Sequence, residues 1–256
     1  MPEPSRHCNG PSVSIDPGGS LDSRFYLKQL KAGRDFARHD PIAARMDNFV
    51  YLLGDAEKRE CMVVDPAWDV DGIVEAADAD DMRIVGALVT HYHPDHVGGA
   101  LFGHFVQGLP RLMEINPCKV HVHADEANGL KAITGLSDGD LVKVRTGQVV
   151  QAGDIDIVCL HTPGHTPGSQ CFRVRNSLVA GDTLFLRGCG RVDLPGGDSE
   201  EMWRSLTQRL ATLPGDMTLY PGHDYGDKPC APLHEVRKNN PAMMLSDLAD
   251  WRRRMG

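Results

Sequence analysis

Residues Leu88 to Gly99 read LVTHYHPDHVGG and place His91, His93, Asp95 and His96 within six positions. Imidazole and carboxylate are the ligands of zinc, iron and manganese, so this spacing points first to a bound divalent cation. In an extended segment residues two apart share a face, so His91 and His93 can address one ion. Pro94 ends the strand and suits the first turn of a helix, which returns Asp95 and His96 to the same space. The spacing is compatible with two adjacent cation positions.

Three further loops carry donors of the same kind. HTPGHTPGSQ holds His161 and His165, stiffened by Pro163 and Pro167 and bent tightly at Gly164 and Gly168. Either histidine could ligate. His165 sits at the centre of the turn, whereas His161 follows directly on an apolar strand and reads as a buried, hydrogen-bonded neighbour. GDTLF sets Asp182 at a strand end, and PGHDYG does the same for His223. Asp65, just after an apolar run, could accept the outer N–H of a ligand histidine and fix its tautomer. His121 and His123 in KVHVHA read as a polar strand face. Five histidines and two carboxylates suit a two-cation site, each ion held by three residues with one anion bridging.

The elements that deliver these loops are strands and helices in alternation. Short apolar runs at Asn48 to Leu53, Cys61 to Val64 and Ile84 to Val89 read as strands, with helical spacing at Val70, Ile73, Val74 and Ala77 between them. Strands are expected again over Thr146 to Leu160, Gln170 to Val174, Ser177 to Ala180 and Met217 to Tyr220. Asp198 and Glu201 form a capping pair for a helix whose Trp203, Leu206, Leu210 and Leu213 make one apolar stripe. A short helix is expected near Ser246 to Arg254. Val97 to Met113 is apolar and interrupted by glycines, compatible with a lid over the site or with ordinary core. A strand, helix, strand order of this kind points to α/β layers.

With 256 residues, 41% of them hydrophobic, the chain can bury a large core. We expect residues 1–22 to be a flexible tail and 23–256 one catalytic domain. A net charge of −8 and the lack of a basic run argue against nucleic acid and anionic membranes as partners. No apolar run of signal or membrane-spanning length is present, so a cytoplasmic location is expected. Seven dispersed cysteines suit reduced thiols rather than a disulfide framework.

THYHPDH, HTPGHTPGS, GDTLF and YPGHDYG, in this order, resemble the metallo-β-lactamase superfamily from about Asn48 to Asp227. The resemblance implies an αββα sandwich, two mixed β-sheets face to face with helices on the outer faces. It also implies His91, His93 and His165 on a first metal, Asp95, His96 and His223 on a second, and Asp182 bridging. The cofactors implied are two divalent ions, zinc first with iron or manganese as options. Asp95 is then the catalytic candidate, orienting the attacking water and passing on its proton.

Two branches fit. GDTLF with DLPGGD and the HPDHVGG form resemble glyoxalase-II-like hydrolases, which cleave thioesters such as S-acylglutathione. LRGCGRVD and HDY resemble the persulfide dioxygenases, which imply a single Fe(II) on His91, His165 and Asp182. Only 33 residues follow His223, so the longer C-terminal helical region of glyoxalase II is not expected. Against the dioxygenases, Pro94 stands where that family carries alanine. The expected partner is a small thiol or acyl substrate, glutathione-linked in both branches, with a homodimer left open. Arg187, Arg191 and Tyr225 are the candidates for gripping a substrate carboxylate or amide.

Overall fold

The apolar runs pair into two six-stranded sheets. The computed structural model describes residues 14–15, 21–22 and 24–255. In the first sheet the strands lie in the order Leu141–Val144, Lys119–His123, Arg83–Leu88, Glu60–Val64, Phe49–Asp55 and Phe25–Lys31. The second runs Val149–Ala152, Ile155–His161, Gln170–Val174, Ser177–Gly181, Thr218–Pro221 and Ala231–Pro232. Both are mixed. In the first sheet Glu60–Val64, Arg83–Leu88, Lys119–His123 and Leu141–Val144 run parallel and the two remaining pairs antiparallel; in the second only Ser177–Gly181 and Thr218–Pro221 are parallel.

Phe49–Asp55 is buried at every position, which is why it reads as a run and not as an alternation. Its Phe49, Tyr51 and Leu53 pack with Met62, Val64 and Leu88 against Ile155, Ile157, Phe172 and Val179 of the other sheet. Its Val50 and Leu52 face the opposite way, toward the helices Val70–Asp78, Leu109–Ile115 and Ala127–Thr134. Ser199–Arg204, Leu233–Asn239 and Leu248–Met255 cover the outer face of the second sheet. The result is four layers, helices, sheet, sheet, helices, as expected.

Several elements differ from the sequence reading. Phe25–Lys31, left without assignment there, is an edge strand along Phe49–Asp55. The segment after Val97 is a hairpin, Gly99–Leu101 with His104–Val106, followed by the helix Leu109–Ile115. Phe102 and Phe105 stand 96% and 74% exposed on the hairpin, while Val97, Val106, Leu109 and Leu112 of the same stretch join the core. Leu206 and Leu210 are core, while Trp203 and Leu213 are partly buried against them. Ser14–Ile15 pairs with Leu21–Asp22, and the rest of the expected 1–22 tail lies outside the described residues. Cys61, Cys118, Cys159, Cys171 and Cys189 are free thiols, but Cys230 takes part in a disulfide, against the expectation of reduced thiols throughout. Among the described residues no helix is long and apolar enough to cross a membrane.

Candidate metal centre

Parallel pairing brings strand ends together. Val64 and Leu88 are register partners, so Asp65 and the loop that begins at Val89 leave the first sheet side by side. Gly181 and Pro221 are partners in the second sheet, which sets Asp182 beside Gly222 and His223. A Cβ on Gly222 would lie 2.3 Å from Asp182 Oδ1, so only glycine admits the carboxylate there. An isolated bridge between Asn48 and His223 ties the two sheets at this edge. Gln170 adds a second tie, with its amide donating to Val89 O and its backbone N–H to Thr90 O.

The expected donors converge in two groups. His91, His93 and His165 present ring nitrogens within 4.8 Å of one another, and so do the donor atoms of Asp95, His96 and His223. In the first group the ring centroids are 4.6 to 4.8 Å apart and the planes nearly perpendicular, the packing of three imidazoles aimed at one point. Asp182 lies between the groups: Oδ2 is 3.7 Å from His165 Nε2 and 3.4 Å from His223 Nε2, and Oδ1 is 3.4 Å from His96 Nε2.

Outer hydrogen bonds fix the tautomers. His165 Nδ1 donates to Arg191 O at 2.7 Å and His223 Nδ1 to Met46 O at 2.7 Å, which turns each Nε2 lone pair inward. Asp65 does as expected, accepting from His96 Nδ1 at 3.0 Å. It reaches further than expected, because the Thr90 hydroxyl donates to Asp65 and accepts from His91 Nδ1 at 2.9 Å. One carboxylate therefore orients a histidine of each group.

His91 Nε2, His165 Nε2 and Asp182 Oδ1 are buried without a hydrogen-bond partner. An orphaned buried polar atom costs about 1–3 kcal/mol, and three facing one space form a deficit that a cation would fill. The donor set fits a divalent metal: imidazole and carboxylate, three to an ion, with the outer ring nitrogens held.

The two groups differ electrostatically. Burial pushes the His91 imidazole well below its usual pKa and His93 down to about 4, so both are neutral ligands near neutral pH. Burial pushes His96 down as well, but Asp95, Asp182 and Asp65 outweigh it and hold the ring well above its ordinary value. His223 is raised in the same way, chiefly by Asp182 against its own burial. Burial would raise Asp95 and Asp182, yet the His96 and His223 rings keep both well below the usual carboxylate range.

The groups open onto a cavity of about 660 Å³. Arg187, Arg191 and Tyr225 all line it, together with His93, Asp95 and His165. Tyr225 stacks on the His223 ring at 4.7 Å. Arg191 is paired with Asp193 at 2.7 Å and Arg187 faces Asp227 at 3.8 Å, both at the exposed rim. Leu101 and Phe102 bring the hairpin to the same wall.

Three residues of the site were missed in the sequence. Glu126 is fully buried and accepts from Tyr92 N, Thr166 Oγ1 and Gly168 N at 2.7 to 2.8 Å, clamping the two histidine loops together. Asn48 donates from Nδ2 to Asp95 Oδ2, and Trp68 donates from its indole to Asn48 Oδ1. An acid just after KVHVH was the only signal for Glu126. His123, read as strand face, meets Asp125 and His161 in a separate group; its ring stacks on His161 at 3.8 Å. His161 Nε2 donates to Pro167 O, so it is hydrogen-bonded as expected but half-buried rather than buried.

A family model described as the metallo-beta-lactamase superfamily matches residues 45–223. The probable polyketide biosynthesis zinc-dependent hydrolase BaeB of Bacillus velezensis is 31% identical over 193 residues, 75% of this chain and 80% of that protein. The mitochondrial persulfide dioxygenase ETHE1 of Homo sapiens is 32% identical over 207 residues, covering 77% and 72%. A hydroxyacylglutathione hydrolase of Aeromonas hydrophila is 35% identical over 186 residues, covering 72% and 64%. With donors, layers and family model in agreement, the chain belongs to the metallo-β-lactamase superfamily.

Proposed function

We propose that this chain is a metal-dependent hydrolase of small thioesters of the S-acylglutathione type. The observation that carries the reading is the three-imidazole group of His91, His93 and His165, two of which, His93 and His165, line the cavity. Three protein ligands and one free position are the arrangement of hydrolytic zinc. His91, His93 and His165 would hold a first cation, Asp95, His96 and His223 a second, with Asp182 between them. Such cations, when bound, lower the pKa of water and polarise a carbonyl oxygen.

The remaining work falls to side chains. Asp95 lines the cavity and is held ionised, so it can orient the attacking water and accept its proton. Burial, with Asp182 and Asp95 adding to it, pushes Tyr225 well above its ordinary pKa; it stays a neutral hydroxyl able to donate to a substrate oxygen. Arg187 and Arg191 stand at the rim, where a substrate carboxylate would compete with Asp227 and Asp193 for their guanidinium groups. Leu101 and Phe102 offer an apolar wall for an acyl chain. Names of relatives agree with hydrolysis and with glutathione-linked substrates, though not with one substrate.

A second reading has its own observation. The three orphaned atoms belong to His91, His165 and Asp182, the two-histidine, one-carboxylate set of a mononuclear iron oxygenase. A relative of comparable identity is a persulfide dioxygenase. One experiment separates the two: metal analysis of protein purified without added metal, with S-lactoylglutathione cleavage and oxygen uptake on glutathione persulfide measured on the same sample. The hydrolase reading expects zinc-like ions and thioester cleavage. Near-stoichiometric iron with oxygen uptake and no cleavage overturns it.

A further inference from the structure

We infer that Asn48, oriented by Trp68, weakens the second cation position and so sets how many ions the centre holds. This rests on the reading of the two donor groups as metal sites. Asn48 is buried at the start of Phe49–Asp55. Its Nδ2 lies 3.1 Å from Asp95 Oδ2, 3.4 Å from His96 Nε2 and 3.5 Å from His223 Nε2. Those three atoms are themselves 3.2, 3.4 and 3.5 Å from one another. Six nearly equal edges describe a tetrahedron with the amide nitrogen at its fourth corner. Four ligands about 2.0–2.1 Å from a zinc ion stand about 3.4 Å apart, so the three donors have the spacing of a zinc site; Asp182 borders them as a ligand would, 3.4 Å from His96 Nε2 and from His223 Nε2, and Asn48 Nδ2 takes a further corner at the same spacing.

An amide nitrogen cannot serve there. It carries two N–H bonds, has no lone pair to give, and turns the positive end of its dipole toward the cage. The orientation is not arbitrary, because the indole of Trp68 is a donor only and donates to Asn48 Oδ1 at 3.0 Å. Oxygen therefore faces the tryptophan and NH₂ faces the donors. Trp68 is anchored in turn: its backbone N donates to Gln107 O at 2.9 Å, and its ring stacks on His104 at 6.1 Å. The amide satisfies Asp95 when no ion is present and opposes an ion that enters. No such occupant meets His91 Nε2 and His165 Nε2, which have no hydrogen-bond partner at all.

The test is a titration of the metal-stripped full chain with Zn(II) against a chromophoric chelator, repeated with Co(II) to follow the ligand-field bands of each site. In the native chain the second equivalent is expected to bind at least about tenfold more weakly than the first. Asn48→Asp puts a carboxylate oxygen in the fourth corner and is expected to tighten the second equivalent about tenfold or more, leaving the first within a few-fold. Trp68→Phe releases the amide to turn its oxygen inward, and tightens the second site in the same direction should the aspartate variant fail to fold. Two equally tight equivalents in the native chain, or a second constant unmoved in the folded variants, overturns the inference alone. A native chain that binds no ion at its first equivalent overturns the metal reading beneath it.

Discussion

The two donor groups sit side by side, and they are built by opposite means. Burial keeps His91 and His93 neutral, and in His91 and His165 a proton is held on the outer nitrogen by Thr90 and by Arg191 O. His91 and His165 leave inner nitrogens with nothing to bond. Asp95, His96 and His223 instead form a charged cluster that satisfies itself and is roofed by Asn48. The first group is preorganised for a cation and strained without one. The second has a metal-free arrangement that a cation must displace. Identical ligand types thus give sites of different affinity because their surroundings differ.

Replacing one ligand in each group tests this most strongly. His165→Ala is expected to remove the tight equivalent of metal and lower activity roughly a thousandfold or more, whereas His223→Ala keeps the first equivalent; chelator competition and turnover read both. Equal loss of the first equivalent in the two variants would erase the distinction. Next come the orienting groups. Thr90→Val removes the His91 partner itself and only one donor to Asp65, whereas Asp65→Asn disturbs both groups, so the first variant should weaken chiefly the first equivalent and the second variant both, each about 10–100-fold.

Stability of the metal-free chain should carry the contrast as two limbs of opposite sign. His91 and His93 titrate lower in the folded state than unfolded, so stability falls as pH drops from about 6.5 toward about 4. His96 titrates higher when folded; its contribution is complete below about 6.5 and is lost as pH rises through the raised value. Thermal melts against pH should show both limbs, with His93→Gln flattening the acid limb and His96→Gln the alkaline one. The Glu126 clamp belongs to neither limb: Glu126→Gln turns an amide N–H toward donors and should cost about 1–3 kcal/mol in denaturant unfolding at pH 7. The smallest effect is expected at Phe102→Ala, where kcat/KM for long acyl thioesters should fall up to about tenfold while short ones change little.

The ligands could be read from the sequence because each is a rare residue type in a short, stereotyped loop after an apolar run. Asp65 was readable for the same reason, standing at a strand end beside the histidine loop. Asn48 was not, since it looks like the first residue of a strand, and its meaning depends on a bridge to His223 formed only in three dimensions. Trp68 and Glu126 were hidden likewise: one acts through an indole N–H, the other through three donors far along the chain. The α/β class followed from strand and helix order, and the four-layer sandwich only from the resemblance to the superfamily. The hairpin after Val97 did not, because apolar residues that face solvent carry the same letters as those that face a core.

The hairpin segment touches two things at once. Its tip supplies Phe102 to the cavity wall, and its far end supplies Gln107 O to Trp68. A descendant that exchanged this hairpin for another, to accept a different acyl chain, would also release the prop behind Asn48. Choice of substrate and number of ions would then be inherited as one trait, and a lineage could not easily drift in the first without revisiting the second.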